Sequence, residues 1–155
     1  MIDSHCHLAD AKFSPDLEEV ITRANSAGVD RIVTIADSLD EGDMCLQIAE
    51  KYGQVFCTIG VHPHNAKDWK DGDIERLRAQ LTSSKKVVAL GEIGLDYHYM
   101  NSPKEDQVRV FREQIEIAKD LDLPIVVHNR NSIEDLMPII REMRPAKLVL
   151  HCNTE

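Results

Sequence analysis

The sequence has no long apolar run and no recognisable targeting segment. No stretch approaches the roughly 18 consecutive apolar residues that a membrane-spanning helix needs, which argues against a membrane protein. The first residues, Met1 to His5, do not form the basic region followed by an apolar region that marks a secretory signal. We therefore expect a cytoplasmic protein with no membrane partner.

The chain has fewer basic residues than acidic ones. The chain has 18 Lys and Arg against 27 Asp and Glu, which gives a formal net charge of −9. This balance argues against broad, sequence-independent coating of DNA, because such binding depends on many Lys and Arg residues that contact phosphates. It does not exclude an enzyme that holds one or two phosphates through bound cations, since divalent ions reverse the local field.

The cysteines do not form a recognisable framework. There are four, at Cys6, Cys45, Cys57 and Cys152, with irregular spacing and no C-x-x-C pair. Reduced and mostly buried thiols are therefore expected rather than disulfides. The chain also has no linker rich in Pro, Gly or Ser, no low-complexity tract and no internal repeat. We predict a single domain over residues 1–155.

Short apolar runs alternate with segments of helical character. The predicted strands lie around Ile2 and over Arg31–Ile35, Val55–Ile59, Val87–Leu90, Ile125–Val127 and Leu148–Leu150. Several are apolar almost throughout, as are strands buried on both faces of a parallel sheet. The order is a strand followed by a helix five times and then a sixth strand, which predicts an α/β fold with right-handed crossovers. Both an open doubly wound sheet and a barrel fit this order.

Start signals precede several of the predicted helices. Ser14 is expected to cap the first helix, and Ser38 and Ser102 each begin a capping box for a later helix. The fifth helix is expected to begin near Ser132. Because Pro138 lies inside its pattern, we expect a kink or a later start.

Metal-ligand residue types follow nearly every predicted strand. They are His5 and His7, His62 and His64, Glu92, His128, and His151. Because the carboxyl ends of barrel strands meet at one mouth, five separate segments can contribute to one site. A lone histidine is more often a packed or surface residue, so the prediction depends on their joint placement. Glu92 strengthens it, since a carboxylate buried among apolar residues needs a partner, which a metal would supply.

The pair His5 and His7 is compatible with one metal. Residues two apart on a strand share a face, so both imidazoles can point the same way. Cys6 lies between them and would then point to the opposite face, into packing against a helix. We expect Cys6 not to coordinate metal.

Four segments form motifs in chain order. They are residues 2–8 (IDSHCHL), 60–64 (GVHPH), 91–97 (GEIGLDY) and 124–130 (PIVVHNR). Together they resemble the motifs of the TatD-type metal-dependent hydrolases, which are DNase-like members of the amidohydrolase superfamily. The third motif is the most specific, and the resemblance covers essentially the whole chain. It implies a TIM-type (β/α) barrel of eight strands, of which this chain would supply six.

The resemblance also implies roles for the candidate residues. The implied metal ligands are His5, His7, Glu92, His128 and His151. The implied substrate-binding residues, which would either contact the phosphate or support the metal ligands, are His62, Asp96 and Arg130. In this scheme the first two histidines bind one metal, Glu92 bridges two metals, and the last two histidines bind the second. Glu92 and His62 are the candidate catalytic residues. The cofactors would be two divalent ions, for which Zn, Mn, Co or Ni suit the mixed donors and Mg suits a wetter position.

The end of the sequence departs from the family pattern. The family has two further strands and an Asp after the eighth, which holds a metal and the attacking water, whereas this chain stops at Glu155. The residues after Cys152 are also not the aromatic, small residue and Gly of the family, but Asn153-Thr154-Glu155. We therefore expect a C-terminally truncated domain whose two open barrel edges allow self-association.

Three functions are compatible with the sequence. The first is a divalent-metal-dependent phosphodiesterase, a TatD-like deoxyribonuclease that hydrolyses DNA, with less activity than a relative that has the missing Asp. The second is another metal hydrolase of the superfamily that acts on an amide or a lactone. Glu92 disfavours it, because many such enzymes have a carboxylated Lys at the end of strand four. The third is a metal-binding fragment with impaired catalysis.

Overall fold

The computed structural model describes residues 1–151 and contains six strands that alternate with helices. The strands are β1 (Ile2–Cys6), β2 (Arg31–Ile35), β3 (Val55–Ile59), β4 (Val87–Asp96), β5 (Ile125–Arg130) and β6 (Leu148–His151). The α-helices are α1 (Leu17–Ser26), α2 (Leu39–Lys51), α3 (Asp73–Thr82), α4 (Lys104–Asp120) and α5 (Ile133–Met143), and the 3₁₀ helices are Ala11–Phe13 and Pro63–Asp68. The predictions about Cys152 and the residues after it lie outside the described residues.

The six strands form one parallel sheet in the order β1 to β6. A flat sheet of this size would separate its edge strands by about 24 Å. Yet the rings of His5 on β1 and His151 on β6 stack with their centroids 3.6 Å apart. The sheet is therefore curled into a half-barrel, which confirms the predicted incomplete TIM-type barrel and excludes the flat doubly wound alternative.

The main core lies between the sheet and the helices that cover it. The fully buried core side chains include Ile35, Ile59, Leu77, Leu90, Phe111, Ile115, Ile125 and Leu136. Each such side chain stabilises the fold by about 1.5–3 kcal/mol relative to leaving it in water. Within residues 1–151, none of the helices combines the length and the apolar character that crossing a bilayer requires.

β4 is longer than the sequence predicts. It runs to Asp96 rather than ending at Leu90, and its pairing with β5 changes register between Leu90 and Ile93. The prediction ended early because glycines and a carboxylate are normally poor strand residues. Gly94 is required there, since it has φ +140° and an added Cβ would lie 2.1 Å from the carbonyl oxygen of His128. The extension places both Glu92 and Asp96 at the carboxyl end of the sheet.

The helix starts agree with the predictions only in part. Ser38 caps α2 by accepting from the backbone N–H of Glu41, as predicted. The predicted cap at Ser14 is wrong, because Ser14 follows the last residue of the 3₁₀ helix Ala11–Phe13, which Asp10 caps. Helix α1 begins only at Leu17.

Of the two further start predictions, the one at Ser102 is wrong and the one near Ser132 is confirmed. Ser102 is not a cap, since its hydroxyl donates to the carbonyl of His64 and accepts from Lys67 in the 3₁₀ helix Pro63–Asp68. α5 does begin next to Ser132, as predicted, since it starts at Ile133 and continues through Pro138. Of the two expected effects of Pro138, the later start is therefore wrong.

Candidate metal centre

Glu92 lies at the centre of the carboxyl end of the sheet and is only 3% exposed. Its Oε1 is 2.8 Å from Nδ1 of His128 and 3.9 Å from Nε2 of His151, and its Oε2 is 3.3 Å from Nε2 of His5. Burial acts to raise the pKa of this carboxyl, but the hydrogen bonds from His128 and His5 outweigh it and hold the pKa well below its usual range. Glu92 is therefore ionised, as a metal ligand must be.

Three groups of potential ligands share Glu92. They are His5–Glu92–His151, His62–Glu92–His128 and His7–Asp37–Glu92, and within each group the ligand atoms lie within 4.8 Å of one another. Imidazole nitrogens with carboxylate oxygens are a donor set that Zn, Mn, Co and Ni accept. One carboxylate common to all the groups allows neighbouring cations to be held together.

An unpartnered oxygen supports the fit to a cation. Among the described residues, Oδ1 of Asp37 is buried and has no hydrogen-bond partner. Burial also raises the pKa of Asp37, against the opposing effect of His7. Leaving a polar atom buried and unpaired costs free energy, and a cation between Asp37, His7 and Glu92 would remove that cost. The donor set and this oxygen together fit a divalent metal.

The two histidines from the first motif lie beside each other and beside Glu92. The rings of His5 and His7 meet edge to face with centroids 5.2 Å apart. His5 falls in the group with His151, and His7 falls in the group with Asp37. The structure therefore brings both to the centre, and their assignment to one shared metal stays a prediction.

Cys6 is directed away from this cluster. Its Sγ lies 3.6 Å from the carbonyl oxygen of Val33, and it belongs to none of the ligand groups in the described part of the chain. Burial, followed by the charge of Asp3, raises the pKa of the Cys6 thiol to about 12. The thiol therefore faces the backbone of β2 rather than Glu92, and the expectation that it does not bind metal stays a prediction.

His62 is 7% exposed and begins the 3₁₀ helix Pro63–Asp68. Its Nδ1 accepts a hydrogen bond of 3.1 Å from the backbone N–H of His64. Burial, followed by the neighbouring His128, lowers the pKa of His62 to about 3, so the imidazole is neutral at pH 7. With Nδ1 accepting, Nε2 carries the proton and can donate to a substrate oxygen.

Asp96 is fully buried and binds two of the histidines. Its Oδ2 is 2.9 Å from Nε2 of His64 and 3.0 Å from Nε2 of His128. Its Oδ1 accepts from the backbone N–H groups of His98 and Tyr99. Burial acts to raise the pKa of Asp96, but the Tyr99 N–H and the imidazoles outweigh it and lower the pKa to about 2.

This geometry favours one of the two predicted roles of Asp96. A carboxylate on one ring nitrogen of a histidine orients the other nitrogen toward a metal. Asp96 and Glu92 together hold the two ring nitrogens of His128. The position of Asp96 behind His128 therefore supports ligand orientation more directly than contact with the substrate.

Two residues of the site were missed at the level of sequence. His64 stood within the second motif, but no role was assigned to it. Asp37 follows the apolar strand β2, so the rule that selected the other candidates would also have found it. Asp37 is not among the predicted ligands because it lies outside the four motifs.

The site opens as a depression of about 230 Å³ at the carboxyl end of the sheet. It is lined by His5, His7, Asp37, His62, His64, Glu92, His128, Arg130 and His151. Arg130 ends β5, and its Nη1 is 3.7 Å from Oδ2 of Asp96. The depression thus combines ligand atoms with one guanidinium group, an arrangement that can take an anionic ester.

Sequence comparison supports the same interpretation. The family model described as TatD related DNase matches residues 2–155. The uncharacterized metal-dependent hydrolase YabD of Bacillus subtilis is 39% identical over 156 residues, which cover 99% of this chain and 61% of that protein. The 3'-5' ssDNA/RNA exonuclease TatD of Cronobacter turicensis is 38% identical, with 99% of this chain and 59% of that protein covered. The chain spans about three fifths of the length of these relatives.

Solved structures match over nearly the whole chain. The TatD homologue YJJV of Escherichia coli K12 superposes with a TM-score of 0.93 at 32% identity, covering 100% of this chain and 61% of that one. A TatD family hydrolase of Entamoeba histolytica gives a TM-score of 0.91 at 29% identity, covering 98% and 57%. These matches agree with the half-barrel formed by strands β1 to β6.

Proposed function

This chain belongs to the TatD related DNase family, and we propose on that basis that it is a divalent-metal-dependent phosphodiesterase that hydrolyses DNA. The observation that carries the proposal is the buried, ionised Glu92, which is common to three groups of ligand atoms. The relative from Cronobacter turicensis is named as an ssDNA/RNA exonuclease, which supports a nucleic acid as the substrate class.

We propose two divalent ions as cofactors, of Zn, Mn, Mg, Co or Ni. The residues that would hold them are His5, His7, Asp37, Glu92, His128 and His151. When bound, such cations lower the pKa of a water molecule and polarise a phosphoryl oxygen. Glu92 would keep them together, and Asp96 would orient His128.

The substrate phosphate would be held by Arg130 and His62. The guanidinium of Arg130 can donate two parallel hydrogen bonds to phosphate oxygens. The neutral His62 would donate from Nε2 to an oxygen on which negative charge develops. Both side chains line the depression, so one phosphate can meet them together.

The test is hydrolysis of a single-stranded DNA oligonucleotide by the chelated protein, before and after each metal is added back. We expect activity that returns with metal and is lost again with chelator. Amide and lactone substrates in parallel would detect the alternative hydrolase of the superfamily. Stoichiometric metal binding with no turnover of any phosphoester would instead favour the impaired fragment and contradict the proposal.

We also propose self-association through the open sheet edges. Within residues 1–151, β1 pairs only with β2 and β6 pairs only with β5. Val149 on β6 is 60% exposed and Ile2 on β1 is 61% exposed. Unpaired edges with apolar side chains favour strand pairing with another copy. Sedimentation velocity should show a dimer that the edge substitution Val149→Lys weakens, and a monomer at all concentrations would contradict this.

A cytoplasmic location and a single domain over residues 1–155 stay predictions.

A further inference from the structure

Tyr99 is an exposed aromatic residue at the rim of the candidate metal centre. It lies in the loop between β4 and α4 and is 56% exposed. The guanidinium carbon of Arg130 lies over its ring, 5.1 Å from the centroid. The ring of His64 meets it edge to face at 5.6 Å. A single exposed aromatic residue is ordinary on a protein surface, but this one contacts two side chains that line the depression.

The ring is also tied to the centre through the backbone. The N–H of Tyr99 donates to Oδ1 of Asp96 at 3.0 Å. The other oxygen of the same carboxylate binds His64 and His128. Displacement of this loop would therefore disturb Asp96, and the buried Asp96 in turn fixes where the loop places its aromatic side chain.

We propose that Tyr99, with Arg130 against its ring, is a stacking platform for a nucleobase of the strand whose phosphate lies in the depression. This inference rests on the proposed function and specifies how that function recognises its substrate. Arg130 links the two parts, because a guanidinium can cover an aromatic face while its edge donates to phosphate oxygens. A nucleotide with its phosphate at Arg130 has its base beside the exposed ring.

The charge of the chain explains why such a platform is useful. With a net charge of −9, the chain is poorly suited to holding a strand through many phosphate contacts. Stacking of a base on an aromatic side chain contributes about 1–3 kcal/mol and tolerates any base. The platform therefore favours unpaired nucleotides over phosphodiesters without a base, with little dependence on sequence.

The test compares binding of two probes to the same protein in the presence of Mn²⁺. One probe is a short fluorescein-labelled thymidine oligonucleotide with phosphorothioate linkages, and the other is a matched chain of abasic units. Fluorescence anisotropy gives the ratio of the two Kd values. We expect the unsubstituted protein to prefer the thymidine probe by about 5-fold or more. This factor corresponds to a stacking free energy of about 1 kcal/mol, since 1.4 kcal/mol corresponds to a factor of ten.

The variants separate stacking from bulk. Tyr99→Phe keeps the aromatic ring and should retain the preference, whereas Tyr99→Leu and Tyr99→Ala should bring the ratio close to one. Met44→Ala is the control, because Met44 on α2 is 46% exposed and lies outside the depression. Circular dichroism checks that each variant is folded.

A ratio of Kd values near one for the unsubstituted protein, or an unchanged ratio in Tyr99→Ala, would overturn the platform. Base preference without hydrolysis of natural DNA would support the platform while refuting the proposed nuclease.

Discussion

The carboxylates of this site are distinguished by what contacts them rather than by their burial alone. Glu92 and Asp96 are both buried, and both have a lowered pKa because imidazoles and N–H groups surround them. Asp37 is partly buried with an unpartnered oxygen, and its pKa is raised. Within the described residues, Oδ1 of Asp37 is thus a carboxylate oxygen without a hydrogen-bond partner, and a cation held with His7 and Glu92 would provide one.

Replacing Glu92 should remove most of the function. Glu92→Gln has nearly the same shape but loses the negative charge that all three ligand groups share. We expect a fall of more than about 100-fold in metal-dependent DNA hydrolysis, together with weaker metal binding. Glu142→Gln is the matched control, because Glu142 pairs with Arg112 on the surface. Initial rates with metal analysis of the dialysed proteins provide the measurement, and equal rates for the two variants would contradict the role of Glu92.

Asp96→Asn should act more mildly, as expected for a positioning residue. The amide can still accept from the N–H groups of His98 and Tyr99, but it no longer offers a charge to His128. We expect about a 10- to 100-fold loss of metal affinity or activity. The conservative surface change Asp120→Asn serves as the comparison. If Asp96→Asn binds metal as tightly as the unsubstituted protein, Asp96 does not orient a ligand.

Single residues at strand ends could be selected from the sequence because the ligand types recur after apolar runs. His5, His7, Glu92, His128 and His151 were found in this way, and the structure brings them together. The hydrogen bonds of Asp96 could not be found, because they join β4 to His128 on β5 and to His64 in the 3₁₀ helix Pro63–Asp68. Contacts between distant segments leave no local pattern to read.

At the scale of the elements, β4 carries the centre. Its irregular pairing with β5 lets one strand present both Glu92 and Asp96 at the same end of the sheet. Helix α4 supports this strand from behind, since the buried Gln107 accepts from the backbone N–H of Asp96 and donates to its carbonyl. Leaving those backbone groups unpaired would cost about 1–3 kcal/mol each. The sequence predicted the helix, but it could not show that a polar residue on the helix clamps the strand.

Gly94 offers a direct test of how closely β4 and β5 approach. An added Cβ would lie 2.1 Å from the carbonyl oxygen of His128, and the residue has φ +140°. We expect Gly94→Ala to destabilise the protein by at least about 2 kcal/mol, because backbone cannot move aside cheaply. Gly53→Ala is the control, since a Cβ there meets nothing within 4 Å. Urea denaturation should show little change for Gly53→Ala, and a similarly small change for Gly94→Ala would mean that the strands are further apart.

At the scale of the whole molecule, the curl of the sheet makes the site. The strand and helix order alone could not distinguish a barrel from an open sheet, because both use the same crossovers. Only the approach of β1 and β6, seen in the stacked rings of His5 and His151, shows that the two edges face one centre. Residues from opposite ends of the described chain therefore meet at Glu92.

Metal should consequently stabilise the whole fold and not just the site. A cation bound by residues on several strands favours the folded state, and binding at 100 times Kd contributes about 2.7 kcal/mol. We expect the Tm of the chelated protein to rise when Mn²⁺ or Zn²⁺ is added, with a smaller rise in Glu92→Gln. Differential scanning calorimetry at fixed protein concentration provides the measurement. An identical rise in both proteins would place the stabilising metal elsewhere.

Anomalous diffraction from crystals grown with Mn²⁺ tests the proposed metal centre most directly. Divalent cations are predicted to lie against the carboxylate of Glu92, within coordination distance of imidazoles from the first and last strands of the sheet. Anomalous peaks at those positions would establish the centre. Crystals that contain the metal elsewhere, with no peak beside Glu92, would contradict it.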